Sequence, residues 1–468
     1  MSMLSELSEQ QIDRIKQATE EIIAHTGFRV QHGKVRAICR KAGAQVDDAR
    51  EVVRIPTPLL GELLQQVPSH YTIAGLDGRE FTIGGDHQHC MAIVTDPWIV
   101  DYATQKPRRP CLEDMRRHTI IGQRLDQVIY MSRMEFPVTD IAGPCSSTRA
   151  LETHVLNHNK HQFLMPASLE TYRQALEVLD IKQQGINVAR NKLVSVAMPV
   201  LTPLTLTDLN LEILLSACEN DFPVVPTICP MAGTTAPYSQ AGTLLVGHTE
   251  NIFVAALAQM IKPGHKFLYA MGTSVTDMRT GEDRYYTFDK VLLKSAGVRL
   301  AKAYNLPVVA ECGGSMTYRY DQQNGAEGML FMLAALASRA NILAGIGSCY
   351  NAVGMSAEMM IVQTAWLEAA RHLARGITMD EGRLAVESIM RVGPGGNFLT
   401  EDLTIEQLRG NEFFANELFD YSAGKEHESM LERAHARAES LIAGFKSPLS
   451  EKTQEDLRRY FAKVCRAT

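Results

Sequence analysis

The sequence lacks the features of a secreted, membrane-spanning or nucleic-acid-binding protein. Its nine cysteines form no Cys-x-x-Cys pair, so reduced thiols are expected in place of a disulfide framework. The 47 basic and 53 acidic residues give a net charge of -6 with no block of one sign, which argues against nucleic acid or an anionic membrane as a partner. The amino terminus has no apolar core segment, and the longest apolar run, residues 329–337, is too short to span a bilayer. A cytoplasmic protein is therefore expected.

Common catalytic motifs are missing as well. The chain contains no His-Glu-x-x-His, no Walker loop, no Gly-x-Ser-x-Gly elbow and no Gly-x-Gly-x-x-Gly. The segment Asp86-His87-Gln88-His89-Cys90 offers metal-ligand types, but two histidines one residue apart on a strand have no evident third partner. A metal-dependent barrel lyase using this segment is retained as an alternative.

What the sequence does contain is an alternation of short apolar strands with helical stretches. This alternation predicts an α/β fold, a TIM (β/α)₈ barrel, although a doubly wound open sheet shares the same periodicity. Residues 388–392 are our choice for the eighth strand. The other seven strands are predicted at residues 128–133, 161–165, 193–198, 224–228, 266–271, 307–311 and 341–346.

Segments on either side of the barrel have a different pattern. Residues 1–95 mix helices with short strands and are predicted to form an α/β cap region. Residues 96–399 are assigned to the barrel, and residues 400–468, which are mostly helical and charged, to a carboxy-terminal helical region. The apolar helix at residues 359–373 is compatible with a homo-oligomer or with the ordinary core face of a barrel helix.

Small and polar residues follow several of the predicted strands, where barrel enzymes keep their chemistry. Turns and internal ion pairs explain such residues equally well; Asp277 and Arg279, for example, are suited to an ion pair that fixes the shape of their loop. The candidates are Gly233, Thr234 and Thr235 after the fourth strand, Asp277, Arg279 and Thr280 after the fifth, Glu311 after the sixth, Cys349, Tyr350 and Asn351 after the seventh, and the glycine-rich turn with Gly395, Gly396 and Asn397.

Taken together, these motifs resemble the trimethylamine methyltransferase-like superfamily, in its branch without pyrrolysine. The resemblance runs from about residue 96 to residue 420. The motifs that carry it are Asp114 through Arg124-Leu125-Asp126, Ser195-Val196-Ala197-Met198, Leu201-Thr202-Pro203-Leu204, Gly233-Thr234-Thr235-Ala236-Pro237, Asp277-Met278-Arg279-Thr280-Gly281 and Val392-Gly393-Pro394-Gly395-Gly396-Asn397-Phe398-Leu399.

The resemblance implies a TIM-barrel enzyme that moves a methyl group from a quaternary amine, with glycine betaine as the first candidate, to the Co(I) corrinoid of a separate corrinoid protein. Proline betaine, carnitine, γ-butyrobetaine and choline are alternatives, and so is a non-catalytic sensor of quaternary amines. The chain has no Asp-x-His-x-x-Gly segment of the kind with which corrinoid proteins supply a lower cobalt ligand. The cobalamin is therefore expected to arrive with the partner.

The chemistry of such a substrate predicts the composition of its site. A quaternary ammonium ion has a neutral amine as its leaving group, so the enzyme must position and desolvate the substrate without protonating it. Aromatic faces hold such a cation best, and Trp98, Tyr102 and Tyr350 are predicted to form the cage. Glu311 is predicted to offset the positive charge of the ammonium group. Asn351, Arg319 or the backbone of residues 345–347 are predicted to meet the substrate carboxylate.

The remaining motifs are assigned to corrinoid docking. Under the resemblance, the loops at residues 233–237, 277–281 and 393–397 shape the surface on which the corrin ring rests. Cys349 is grouped with Tyr350 and Asn351 at the substrate site.

Overall fold

The barrel closes through eight parallel strand segments. In a computed structural model that describes residues 7–94, 96–133, 138–143, 145–408, 410, 412–422 and 428–467, seven strands form one sheet in the order β13-β11-β10-β9-β6-β18-β17. Residues 266–271 close the ring, because Phe267 bridges Val224 of β13 and Tyr269 bridges Val308 beside β17, both in parallel. The TIM-barrel prediction is confirmed.

The elements are numbered in chain order. The strands are β1 (Phe28–Val30), β2 (Gln45–Asp47), β3 (Val52–Arg54), β4 (His70–Ala74), β5 (Glu80–Gly84), β6 (His89–Ile93), β7 (Trp98–Asp101), β8 (Lys106–Arg108), β9 (Val128–Ser132), β10 (His161–Leu164), β11 (Val194–Pro199), β12 (Thr205–Leu206), β13 (Val224–Thr227), β14 (Met231–Ala232), β15 (Ser274–Thr276), β16 (Asp283–Arg284), β17 (Val309–Glu311), β18 (Ile342–Ile346), β19 (Ser348–Cys349) and β20 (Gly354–Met355). The helices are α1 (Glu9–Glu21), α2 (Gly33–Lys41), α3 (Thr57–Gln65), α4 (Leu112–Arg124), α5 (Cys145–Leu156), α6 (Leu169–Gln183), α7 (Asp208–Glu219), α8 (Gln240–Ile261), α9 (Phe288–Lys302), α10 (Gln322–Ala337), α11 (Ala357–Arg375), α12 (Glu381–Leu384), α13 (Val386–Val392), α14 (Asp402–Gln407), α15 (Met430–Ile442) and α16 (Glu451–Ala467).

The eighth strand was placed wrongly in the sequence. Residues 388–392 belong to helix α13, and the missing barrel strand is β6, which pairs with β9 and β18. A short apolar run fits a strand and a helix equally well, and β6 begins at His89, within the histidine-rich segment considered for metal binding. This strand precedes residue 95, the expected end of the cap region; the division into domains stays a prediction.

A hairpin fills the amino-terminal end of the barrel. Strands β4 and β5 pair in antiparallel fashion, and Tyr71, Ile73 and Ile83 from this hairpin form one apolar cluster with inward-facing strand residues such as Phe163 and Leu268. The interior of the barrel is therefore a packed core at this end.

The longest helix is also the most completely buried. Helix α8 is apolar enough in length and composition to cross a membrane, but 83% of its window is buried inside the protein. Phe253 of α8 stacks on Phe28 of β1 at 3.8 Å between ring centroids. Packing against the amino-terminal elements explains why α8 has so little polar surface.

Helix α11 lies between the barrel and the carboxy-terminal helix α15. Its residues Ala357 to Leu367 are buried without interruption, and the carboxylate of Glu358 pairs with His435 of α15 at 2.8 Å. The apolar face noted in the sequence is thus covered within the chain. One pair of cysteines departs from the expectation of free thiols: Cys145 and Cys465 form a disulfide across a sequence separation of 320 residues, a distance over which no local spacing signals a pair.

Candidate functional site

Glu311 ends barrel strand β17 and stands at the centre of a buried ionic cluster. Tyr285 donates a hydrogen bond to its Oε1 at 2.8 Å. Lys290 lies 3.6 Å from the same oxygen, and Lys294 forms an ion pair with Oε2. The two lysines come from successive turns of α9, so an i, i+4 spacing brings both to one carboxylate.

Burial and charge oppose each other in this cluster. Burial raises the pKa of Glu311, but Lys290 and Lys294 outweigh it and hold the pKa at about 2. Burial lowers the pKa of Lys290 to about 7 despite the attraction of Glu311. Glu311 is therefore ionised near neutral pH, and Lys290 gives up its proton more readily than an exposed lysine.

Cys229 shows where the mouth of the barrel is open. More than a third of its surface is accessible, yet burial raises the pKa of its thiol. Both statements hold for a side chain that is accessible but has many protein atoms around it. A Cβ atom on Gly272 would stand 2.6 Å from the Tyr285 hydroxyl and 3.1 Å from the Cys229 sulfur, so glycine is required for this approach.

A second buried carboxyl group, Asp96, follows the carboxyl end of another barrel strand. Asp96 follows β6, is 4% exposed, and has no hydrogen-bond partner for its Oδ2 among the described residues. Burial raises the pKa of Asp96 to about 8. Burial raises the pKa of the Tyr286 hydroxyl, and the charges of Glu311 and Asp96 raise that pKa further, so both acids act on the same tyrosine.

The predicted aromatic cage is assembled in part. Trp98 and Tyr350 meet edge to face at 6.5 Å, and Tyr318, which sequence reasoning did not select, meets Tyr350 at 5.3 Å. One face of Trp98 is already covered by the guanidinium of Arg109 at 4.0 Å. Tyr102 lies elsewhere, with its ring stacked on His435 at 3.6 Å.

The predicted carboxylate-binding groups are engaged within the protein. The Asn351 amide accepts from the backbone N–H of Tyr285 at 2.7 Å and donates to the carbonyl of Asp283 at 2.6 Å. Arg319 pairs with Asp321 at 2.8 Å, and the Gly347 N–H donates to Gln363. Asn351 therefore holds the segment that carries Tyr285 and Tyr286. Cys349 is buried, and burial raises the pKa of its thiol.

Two of the three predicted docking loops come together. Strand β14 pairs with β15, which pairs with β16, so the loops at residues 233–237 and 277–282 lie side by side. The hydroxyls of Thr234 and Thr276 are 3.1 Å apart. Thr235 instead turns inward, where its hydroxyl accepts from the Met231 N–H.

Within the second loop, Asp277 holds the turn together, and its expected ion pair with Arg279 is present but long. Asp277 forms an ion pair with Arg284 and accepts from the backbone N–H of Arg279. The Arg279 side chain is 89% exposed, with its Nε 3.9 Å from Asp277. Thr280 accepts from the Glu282 N–H and closes the turn. A partner molecule can therefore reach Arg279.

The hydrogen bonds described for the third loop join residues that are close in sequence. Gly396 donates its N–H to the Gly393 carbonyl, and Asn397 accepts from the Leu399 N–H. Gly395 has a positive φ of 81°. These local bonds make residues 393–397 a compact turn within an exposed segment.

The histidine-rich segment lies at the opposite end of the barrel, where β6 begins. The rings of His87 and His89 are 6.3 Å apart, His89 is bonded to the Thr82 carbonyl, and burial raises the pKa of Cys90 to about 11. Across the described residues, no three histidine, cysteine or acidic side chains are grouped closely enough to hold a metal ion.

Sequence reasoning missed most of the charged cluster. Asp96, Tyr285, Tyr286, Lys290 and Lys294 were not selected. The adjacent tyrosines directly after the Asp277 loop, followed by two lysines at helical spacing, were a signal available in the sequence. No such signal marked Asp96 in the sequence, because an isolated Asp-Pro pair is typical of turns.

A closed (β/α)₈ barrel with charged and aromatic groups at the carboxyl ends of its strands defines an enzyme of the TIM-barrel class. The model of the trimethylamine methyltransferase (MTTB) family matches residues 1–467. The chain belongs to that family and is a methyltransferase.

Two methyltransferases of Desulfitobacterium hafniense agree with this assignment. The chain is 28% identical to a glycine betaine methyltransferase of Desulfitobacterium hafniense strain Y51, over 94% of this chain and 93% of the relative. It is 24% identical to the trimethylamine methyltransferase MttB of Desulfitobacterium hafniense strain DSM 10664 / DCB-2, over 97% and 93%. Among solved structures, the monomethylamine methyltransferase MtmB of Methanosarcina barkeri aligns over 93% of both chains with 14% identity and a TM-score of 0.46.

Proposed function

We propose that this protein moves a methyl group from a quaternary amine, with glycine betaine as the first substrate to test, to the Co(I) corrinoid of a partner protein. The observation that carries the proposal is the buried carboxyl of Asp96 in the barrel mouth, whose Oδ2 has no hydrogen-bond partner among the described residues. A fixed organic cation is the chemical complement of an uncompensated acid and aromatic rings. The similarity to a glycine betaine methyltransferase supports the same substrate class.

Asp96 is the proposed partner of the ammonium group. A buried carboxyl without a counter-ion is normally neutral, and burial holds the pKa of Asp96 at about 8. A bound quaternary ammonium ion would lower that pKa and ionise the acid. Lys290 already lies over the Tyr285 ring, with its Nζ 2.8 Å from the ring centroid. The cation–π contacts of the substrate, worth about 0.5–2 kcal/mol each, are therefore proposed for Trp98, Tyr318 and Tyr350.

Glu311 has the complementary role of an acid whose charge is already neutralised. Because Lys290 and Lys294 pair with it, it does not repel the carboxylate of a betaine. We propose that Glu311 positions the Tyr285 hydroxyl through their hydrogen bond. Trp98 and Tyr350 remain the proposed outer wall of the pocket, with Tyr318 added. Asn351 holds the segment that carries Tyr285.

The corrinoid, when bound, supplies a Co(I) nucleophile that accepts the methyl group. The described residues fit a docking surface for it: Arg279, Tyr238 and Met278 are all exposed on neighbouring loops of the mouth. Residues 233–235 and 277–280 are the proposed contacts. The turn at residues 395–397 lies in the segment that follows α11 at the other end of the barrel, so it is left out of this surface. No acid is required, since the leaving group is a neutral amine. The site and its partner are proposed to work in the cytoplasm.

The test is an anaerobic assay with reduced cob(I)alamin and a panel of methylated amines, which follows methylcob(III)alamin by its visible absorbance. We expect transfer from one quaternary amine and none from trimethylamine. The panel includes proline betaine, carnitine, γ-butyrobetaine and choline, so it also names the substrate. Binding of a quaternary amine by calorimetry without turnover, even with a corrinoid protein present, would favour a sensor and contradict the proposal.

A further inference from the structure

The chain makes a long excursion away from its own core between α11 and residue 412. Arg375, the last residue of α11, donates to the carbonyl of Glu412 at 2.9 Å, and Arg383 donates to the Glu412 carboxylate at 3.1 Å. The His372 ring lies 5.6 Å from that of Phe414. The excursion therefore leaves and returns at one place; we call residues 376–408 the arm.

The arm has no core of its own. None of its residues is buried, and its helices α12, α13 and α14 have only 4, 7 and 6 residues. Helices of that length are unstable in water without tertiary packing. Packing against another surface would stabilise them.

The arm also carries the largest group of exposed apolar side chains. Ten large apolar residues of the arm are at least 41% exposed, among them Ile377, Met379, Ile389, Met390, Leu399 and Leu408. Together they expose on the order of 1,000 Å² of apolar surface, against the roughly 800 Å² per partner that a standard interface buries. Monomeric proteins rarely leave such an area uncovered.

The position of the arm argues against its use at the mouth of its own barrel. Helix α11 begins beside the mouth and runs to the opposite end, where Glu368 accepts from Gln127, just before β9 begins. The arm therefore starts at the end of the barrel away from the mouth. A corrinoid protein that docks and leaves in each cycle would also uncover the arm in each cycle, whereas a second copy covers it permanently.

The same chain carries a second exposed apolar surface on the outside of the barrel. Phe288 and Leu292 lie one turn apart on α9 and are 56% and 41% exposed, and Leu330 of the neighbouring α10 is 41% exposed. A two-fold axis that places each arm on the α9–α10 face of the other copy would use both surfaces twice.

We propose that the arm docks on a second copy of this chain, reciprocally, against the outer face of α9 and α10. This inference does not depend on the methyl-transfer proposal. The test is the mass of the full-length protein in solution by light scattering after gel filtration. We expect the mass of two chains for the wild type and of one chain for Ile389→Asp/Leu399→Asp.

Two further variants make the result specific. Leu292→Asp/Leu330→Asp, on the outer face of α9 and α10, should also give the mass of one chain. Leu201→Asp, at another exposed apolar residue, should keep the mass of two chains. Unchanged circular dichroism and melting of the barrel would show that each variant is folded. A wild-type monomer, or an arm variant that keeps the mass of two chains, would overturn the proposal. A wild-type monomer that binds a corrinoid protein through the arm would overturn it in favour of that partner.

Discussion

The barrel mouth and the arm are opposite exceptions to the usual distribution of polar and apolar side chains between surface and interior. The mouth buries ionisable groups such as Asp96, Glu311 and Lys290, whereas the arm exposes apolar ones such as Ile377 and Leu399. Buried acids and exposed large apolar patches are the two informative exceptions to the rule that apolar groups lie inside. The buried acids of the mouth suit a small cation as ligand, and the exposed apolar patch of the arm suits the surface of another protein.

The largest expected difference separates an arm leucine from a leucine of the adjoining helix. Leu367→Ala in α11, where the side chain is fully buried, should reduce the free energy of unfolding by about 2–5 kcal/mol. Leu384→Ala in the arm should change it by less than about 0.5 kcal/mol when measured on single chains. Urea denaturation of both variants in the Ile389→Asp/Leu399→Asp background gives the comparison. A similar loss for both leucines would mean that the arm packs on its own barrel.

Within the mouth, the paired and unpaired acids should respond differently to neutralisation. Glu311→Gln leaves Lys290 and Lys294 without their counter-charge, which should destabilise the protein by about 3–5 kcal/mol. Asp96→Asn is the matched control, because Asp96 has no salt bridge among the described residues and is neutral near pH 7. Thermal melting at pH 7 measures both. Equal destabilisation would contradict the distinction between the two acids.

The pH dependence should identify Asp96. Its folded pKa of about 8 lies above the unfolded value, so the stabilisation it contributes is complete below the unfolded pKa and is lost as the pH rises towards 8. Cation binding has the opposite trend, because the ionised acid attracts the ammonium group. We expect wild-type affinity for the quaternary amine to increase between pH 6 and pH 9, measured by calorimetry.

Asp96→Asn should weaken that binding about tenfold, or about 1.4 kcal/mol. The same substitution should also reduce the increase of the binding affinity with pH. Since burial lowers the pKa of Lys290 to about 7, Lys290→Met separates the contribution of the lysine from that of the acid. An Asp96→Asn variant with wild-type affinity at pH 9 would remove Asp96 from the substrate site.

The smallest effect on stability is expected at the rim. Arg279→Ala should leave the free energy of unfolding within about 0.5 kcal/mol of the wild type, because the side chain is 89% exposed. Methyl transfer to cob(I)alamin should decrease while quaternary-amine binding is unchanged. Arg50→Ala, another exposed arginine, is the control. Loss of amine binding in Arg279→Ala would place this residue in the substrate pocket.

Much of the barrel was predictable because seven of its strands are apolar runs that each precede a helix. Strand β6 was missed since its polar start at His89 resembles a loop, and α13 was mistaken for a strand because its apolar run is short. Local sequence also locates the Asp277 loop. It does not show that Lys290 and Glu311 meet, because that contact depends on how α9 packs against β17.

The hairpin of β4 and β5 has a consequence for the order of events in catalysis. With Tyr71 and Ile73 closing the far end, the mouth serves as both entrance and exit for the amine. Under the proposed function, a corrinoid protein seated on the rim would trap the demethylated product until it dissociates. Steady-state kinetics should then show an ordered sequence in which the amine binds first and its product leaves last.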